Sequence, residues 1–130
     1  TGSWVSGLTL DSSNNATFAG TVSDSKGNLR SIPESSQSSS YVLVASDAGK
    51  VVSTQGNTLT VNGGVMAAGD AVTVINNSGS DMTITSGSGS IVIYNTADAS
   101  TGNRTLASRG MATFWFQSST AVYVSGAGLS

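Results

Sequence analysis

The 130-residue sequence has no histidine, no cysteine and a single proline, Pro33. The first two absences remove the usual general base near neutral pH, the thiol nucleophile and the common zinc ligands, and with them most enzyme classes. Charge is also scarce, with five basic and seven acidic residues for a net charge of −2. So few Lys and Arg cannot displace the counterions of a phosphate backbone, which argues against nucleic acid as a partner. No apolar run approaches the roughly 20 residues that cross a bilayer, and the first residues form neither a basic nor an apolar leader. Membrane insertion and an export signal are therefore not expected. The acids (Asp11, Asp24, Glu34, Asp47, Asp70, Asp81, Asp98) are spread singly, so no metal loop is visible, and the glycine runs lack the strand-to-helix context of a phosphate loop. Neither a cofactor nor a catalytic residue is expected.

What the chain does contain is 65 Ser, Thr, Gly and Asn residues, interrupted by short β-branched runs such as YVLVA, AVTVIN, MTIT, IVIY, ATFWF and AVYV. That rhythm predicts many short strands joined by tight turns. From Tyr41 onward strands are expected at about 41–46, 50–54, 58–62, 71–76, 81–85, 90–94, 103–107, 111–117 and 121–125. Between them Asp47-Ala48-Gly49, Gln55-Gly56-Asn57, Asn62-Gly63-Gly64, Asn76-Asn77-Ser78-Gly79 and Ser86-Gly87-Ser88-Gly89 supply turn chemistry. No sustained helical period occurs. The expected class is all-β, with an antiparallel β-sandwich or jelly-roll-like head at 41–130. Leu, Ile, Val and Phe number only 28, a thin core for which burial between subunits is a natural remedy.

Residues 1–33 differ. Their apolar side chains (Leu8, Leu10, Phe18, Val22, Leu29, Ile32) are scattered among polar turns, so the segment reads as a stem that does not fold alone. A short strand is expected within Thr17 to Val22, and a turn at Ser25-Lys26-Gly27-Asn28. Pro33 ends any strand at Ile32, and the serine-rich run within 34–40 reads as a surface linker.

The last hairpin can be placed in register. A three-residue loop Ser118-Ser119-Thr120 pairs Phe116 with Val122, Trp115 with Tyr123 and Phe114 with Val124, which gathers both Phe and both Val on one core face. Trp115 and Tyr123 then pair across the strands on the other face. These rings, with Tyr94 at the end of IVIY, are the candidate ligand-binding residues. Aromatic faces stack on pyranose rings while their NH and OH groups bond at the rim, and the same rings also suit packing against a second sheet or subunit. Asp47, Asp70 and Asp81 sit in turns, where carboxylates accept nearby backbone N–H groups. Arg104 and Arg109 read as structural partners at strand ends, and the sequons at Asn15, Asn76 and Asn103 as products of composition.

An ordered series of motifs points further: Gly27-Asn28-Leu29-Arg30-Ser31-Ile32-Pro33, Tyr41 through Lys50, Ala68-Gly69-Asp70 with Ile75-Asn76-Asn77-Ser78, Thr101 through Ala107 with Arg109-Gly110, and Val124 through Leu129. This series resembles the C-terminal head of bacteriophage tail-fibre and related virion proteins, over about residues 26–130. The resemblance implies a surface-exposed fibre of the virion, a homotrimer with an intertwined N-terminal stem and a β-rich head that attaches to host cell-surface glycan or protein without cleaving it. It carries over no binding residues. The alternative is a carbohydrate-binding or adhesin-like module of a secreted bacterial protein, and a depolymerase with two facing carboxylates is the weakest reading.

Overall fold

The computed structural model describes residues 7–29 and 31–130, and the chain divides into two units, Thr1–Ile32 and Pro33–Ser130. Residues 1–6 and Arg30, which belong to the expected stem and the motif series, lie outside the described residues. In the first unit β1 (Leu8–Leu10) pairs antiparallel with β2 (Ala16–Phe18), and β3 (Ser23–Asp24) with β4 (Gly27–Asn28). The Asp11 carboxylate closes the first turn by accepting the backbone N–H groups of Ser13 and Asn15 at 2.8 and 2.9 Å. Register places Leu8, Leu10 and Phe18 on one face of this hairpin, and Leu10 is 67% exposed. None of the described residues 7–29 is buried.

The second unit carries β5 (Glu34–Gln37), β6 (Tyr41–Val42), β7 (Val51–Thr54), β8 (Thr58–Val61), β9 (Ala71–Asn76) and β10 (Met82–Ser86). They are followed by β11 (Val92–Asn95), β12 (Arg104–Ser118) and β13 (Ala121–Leu129). The only helical turn among the described residues is a 3-10 turn at Ala45–Asp47. All nine strands form one sheet in the order β5-β7-β9-β12-β10-β8-β6, with β13 on the other edge of β12 and β11 outside β13.

That order encodes a wrapped chain. Odd-numbered β5, β7 and β9 stack in parallel along one wall, and even-numbered β6, β8 and β10 stack in parallel along the other. Residues 38–40 alone join the outermost strands β5 and β6, a link that reaches about 14 Å at most. The two edges of the sheet are thereby drawn together, and the sheet curls nearly into a barrel. Strand β12 closes the far end by pairing antiparallel with β10 through Arg104–Leu106 and with β9 through Met111–Trp115.

To serve both walls β12 must turn a corner, and its sequence supplies the turn. The register shifts between Leu106 and Met111, with Arg109 in the left-handed region at φ 63°. The next residue is a buried glycine, where a Cβ would lie 2.8 Å from the Ala107 carbonyl and 2.9 Å from Leu106 Cδ1, so Gly110 has no replacement of the same fit. Arg109 donates to the side-chain and backbone oxygens of Asn77. Ser108 N–H donates to Asp81 Oδ1 at 3.1 Å, and its hydroxyl to the Ser78 carbonyl at 2.8 Å.

The corners themselves are sewn by a column of polar side chains. Thr54 and Asn76 are in register as the last residues of β7 and β9, and both are fully buried. Thr54 Oγ1 accepts the Gly56 N–H of its own corner and donates to the Ser39 carbonyl of the previous one, at 3.1 and 2.8 Å. Asn76 does the same in the other direction. Its Oδ1 accepts Ser78 N–H at 3.1 Å, and its Nδ2 donates to the carbonyls of Ser80, Leu106 and Ala107 at 2.8, 3.0 and 3.1 Å.

Between the walls lies one apolar core that includes Val52, Leu59, Val61, Val72, Val74, Met82, Ile84, Ile93, Leu106, Phe114, Phe116, Val122 and Val124. Each such side chain contributes roughly 1.5–3 kcal/mol on burial. At the β5–β6 end polar groups take over. The inward residues of β5 are Ser35 and Gln37, bonded to each other at 3.0 Å, and Tyr41 donates its hydroxyl to the buried Asp47 carboxylate at 3.1 Å.

Three expectations are corrected. The head is a mixed, wrapped sheet and not an antiparallel sandwich or jelly roll, because Gln55-Gly56-Asn57 and its counterparts are corners that send the chain to the opposite wall. The run at 34–40 is not simply a linker: Glu34–Gln37 pairs with β7 as the first strand of the sheet. In the last hairpin the Phe114, Trp115 and Phe116 pairings are as expected, but Ser118 opposes Ala121, leaving Gln117 as a bulge and Ser119-Thr120 as a two-residue loop.

Two variants test this account. Asn76→Ala strands two buried carbonyls at the β12 corner and should cost about 2–4 kcal/mol in a urea melt. Tyr41 has its pKa raised, first by burial and then by the Asp47 charge. A raised pKa holds the folded state fully stable below the unfolded value near 10 and loses that contribution as pH rises through the folded value. An alkaline melting series should therefore show falling stability above about pH 10, and Tyr41→Phe should flatten that limb while costing about 1–3 kcal/mol at pH 7.

Candidate functional site

No Asp, Glu, Lys or Arg occurs in β7, β9, β11, β13 or in β12 beyond Arg109. These strands form one wall, and alternation sends every second residue outward. The outward residues fall into rows across the strands. One row is Tyr94, Tyr123, Trp115 and Ala71; the next is Ser125, Thr113, Thr73 and Val51; the third is Ala127, Met111, Ile75 and Ser53. An aromatic row thus lies beside a hydroxyl row, within which Thr73 and Thr113 Oγ1 stand 3.4 Å apart.

The structure brings all three expected site residues together. Tyr94 and Tyr123 stack with centroids 4.9 Å apart and planes 16° from parallel, and Trp115 is tilted 44° against Tyr123 at 6.3 Å. Trp115 is 48% exposed and Tyr123 36% exposed, so the cluster faces outward. The stack changes what the rings can do. Each tyrosine gives one face to the other, so the three rings do not form a flat platform. The accessible surfaces are the indole, whose neighbour on β9 is only Ala71, and a pocket of about 390 Å³ lined by Tyr94, Asn95, Thr96, Ala99 and Tyr123.

Sequence reasoning missed the residues that shape this pocket. After β11 the chain doubles back, and Thr101 pairs with Tyr94 while Asn95 N–H donates to the Ser100 carbonyl at 2.9 Å. Buried Asn95 accepts Ala97 N–H at 3.1 Å, repeating the corner geometry of Asn76. Asp98 accepts the Ser100 hydroxyl and N–H at 2.6 and 2.9 Å, which holds its pKa below the usual carboxylate value, with a smaller contribution from Arg104. Arg104 directs its guanidinium to Ser100 Oγ and to the Thr101 and Gly102 carbonyls. The readable signal was a terminal Asn followed two residues on by the N–H it accepts.

Asp47 and Asp70 accept the backbone N–H groups of Val44 and Ala67 three residues before them, as their turn contexts implied, whereas Asp81 accepts that of Ser108 on the distant β12 corner. Asn76 is enclosed with its amide fully engaged, so that sequon is not a glycosylation site in the folded chain. Among the described residues no group of three or more acidic side chains is placed to hold a metal ion. No family model and no curated protein sequence matches this chain.

Because the Asp98 pKa is lowered on folding, its contribution to the pocket loop is present above the unfolded value near 4 and is lost as pH falls through the folded one. The protection of the Ser100 and Thr101 amides, exchange measured relative to the intrinsic rate at each pH, should fall on acidification below about pH 4, and Asp98→Asn should weaken this acid dependence.

Proposed function

We propose that this chain is a non-enzymatic attachment module, a trimeric fibre head of the virion type that binds saccharide on a host surface through Tyr94, Tyr123 and Trp115. The observation that carries this reading is the exposed aromatic cluster beside a row of hydroxyls on an uncharged sheet wall. The core of the Pro33–Ser130 unit forms without Trp115, which leaves the indole free for a ligand. Aromatic rings with nearby hydroxyl donors and acceptors match the two sides of a sugar, its apolar C–H face and its hydroxyl rim.

The fibre part of the reading is supported by the first unit. Leu8, Leu10 and Phe18 line one exposed hairpin face there, and none of the described residues 7–29 finds burial. Threefold association of such segments supplies the missing burial, and three linked heads multiply weak sugar contacts into useful avidity. A second reading, a monomeric carbohydrate-binding or adhesin-like module, is favoured by one fact: the Pro33–Ser130 unit already contains a continuous core of its own.

Light scattering separates the two, with three copies expected for the fibre head and one for the module. The double variant Trp115→Ala/Tyr123→Ala should lose binding to cells or glycan arrays by tenfold or more while the oligomer and the melting curve persist. Loss of the oligomer instead would place these rings in a subunit contact and end the ligand reading.

A further inference from the structure

Resting on that saccharide reading, we infer that the ligand of this face is a neutral saccharide and that anionic sugars such as uronic or sialic acids are excluded. The five strand segments that carry and flank the rings, β7, β9, β11, β13 and β12 after Arg109, hold no charged side chain. Carboxylates border the aromatic row, one of them with Arg104 beside it. Asp70 immediately precedes Ala71 at one end of the row, and Asp98 lies in the loop beside the Tyr94 pocket at the other.

Within Pro33–Ser130 the cations are Lys50, Arg104 and Arg109. Recognition of a sugar carboxylate ordinarily uses a guanidinium fork. Arg104 bonds to Ser100, Thr101 and Gly102, and Arg109 to Asn77 at the β12 corner. Lys50 enters β7, two strands across the sheet from Trp115, about 10 Å away at the ordinary strand spacing. What stands next to the indole instead is Thr113, Thr73 and Ser125. Each hydroxyl both donates and accepts, as a sugar hydroxyl does. Beside the pocket the Asp98 carboxylate, its pKa lowered by its Ser100 bonds, stands with the Arg104 guanidinium that shares Ser100.

The test uses the 130-residue chain with cellohexaose and maltohexaose as neutral probes, and trigalacturonate and sialyllactose as anionic ones, followed by the Trp115 indole signal in NMR. At least one neutral probe should shift that signal, with an affinity unchanged between low and high salt. Binding should weaken about tenfold or more in a Tyr94→Ala variant and stay unchanged in Met111→Ala, two rows away on the same wall. An anionic probe that binds this face as well as or better than the neutral ones, or an affinity that falls with salt, overturns the inference while leaving saccharide attachment intact. Silence of all four probes to millimolar concentration, or a change of solution mass in Met111→Ala, removes the saccharide reading and the inference together.

Discussion

The structure depends on its corners, and the decisive bonds are those that Thr54 and Asn76 make from the ends of adjacent strands. A wrapped sheet gains its core only if the chain turns from wall to wall at the same level on each pass. Backbone pairing within a wall does not enforce that. A buried side chain that accepts from its own corner and donates to a neighbouring one does, because leaving either bond unmade costs the full desolvation of the buried group left without a partner. The last such tie falls on the carbonyls of Leu106 and Ala107, just before β12 bends through Arg109 and Gly110. Everything on the outer wall downstream of that bend, including Trp115, takes its position from it.

Strand existence was legible from sequence because local pattern decides it. AVTVIN, MTITS and VIYN alternate or run apolar between Gly and Asn clusters, and each became a strand within a residue or two of its expected bounds. Partner choice was not legible. Gln55-Gly56-Asn57 has the composition of a hairpin turn, yet it crosses between walls, and nothing in three residues distinguishes the two outcomes. The same ambiguity split β12 into two expected strands: Ser108-Arg109-Gly110 reads as a break, whereas the strand continues through it as a bulge.

The candidate site was legible where parity alone sufficed. Once Phe114 and Phe116 face the core with Val122 and Val124, Trp115 faces away opposite Tyr123, and the bulge at Gln117 preserves that pairing although the loop is one residue shorter than expected. Its meeting with Tyr94 was not derivable, since β11 joins β13 in parallel from a distant stretch of chain. That parallel pairing converts two separate rings into a stack and moves the accessible surface from a flat patch to an indole flank and a side pocket. The pocket loop depends on Asp98, Ser100 and Arg104, residues whose significance lies in contacts that sequence order does not display.

The polar run from Glu34 to Ser40 has a consequence for the crowded life of any repeating fold. A stack of wraps ends somewhere, and its end wrap offers unpaired backbone to any other chain with strands to share. Here that wrap is short, its inward positions are Ser35 and Gln37, and no apolar side chain occurs in it before Tyr41. A second copy arriving edge-on would find hydrogen-bonding groups but no dry interface to seal them. The stretch 34–40 thus pairs with β7 while offering no apolar side chain to another strand.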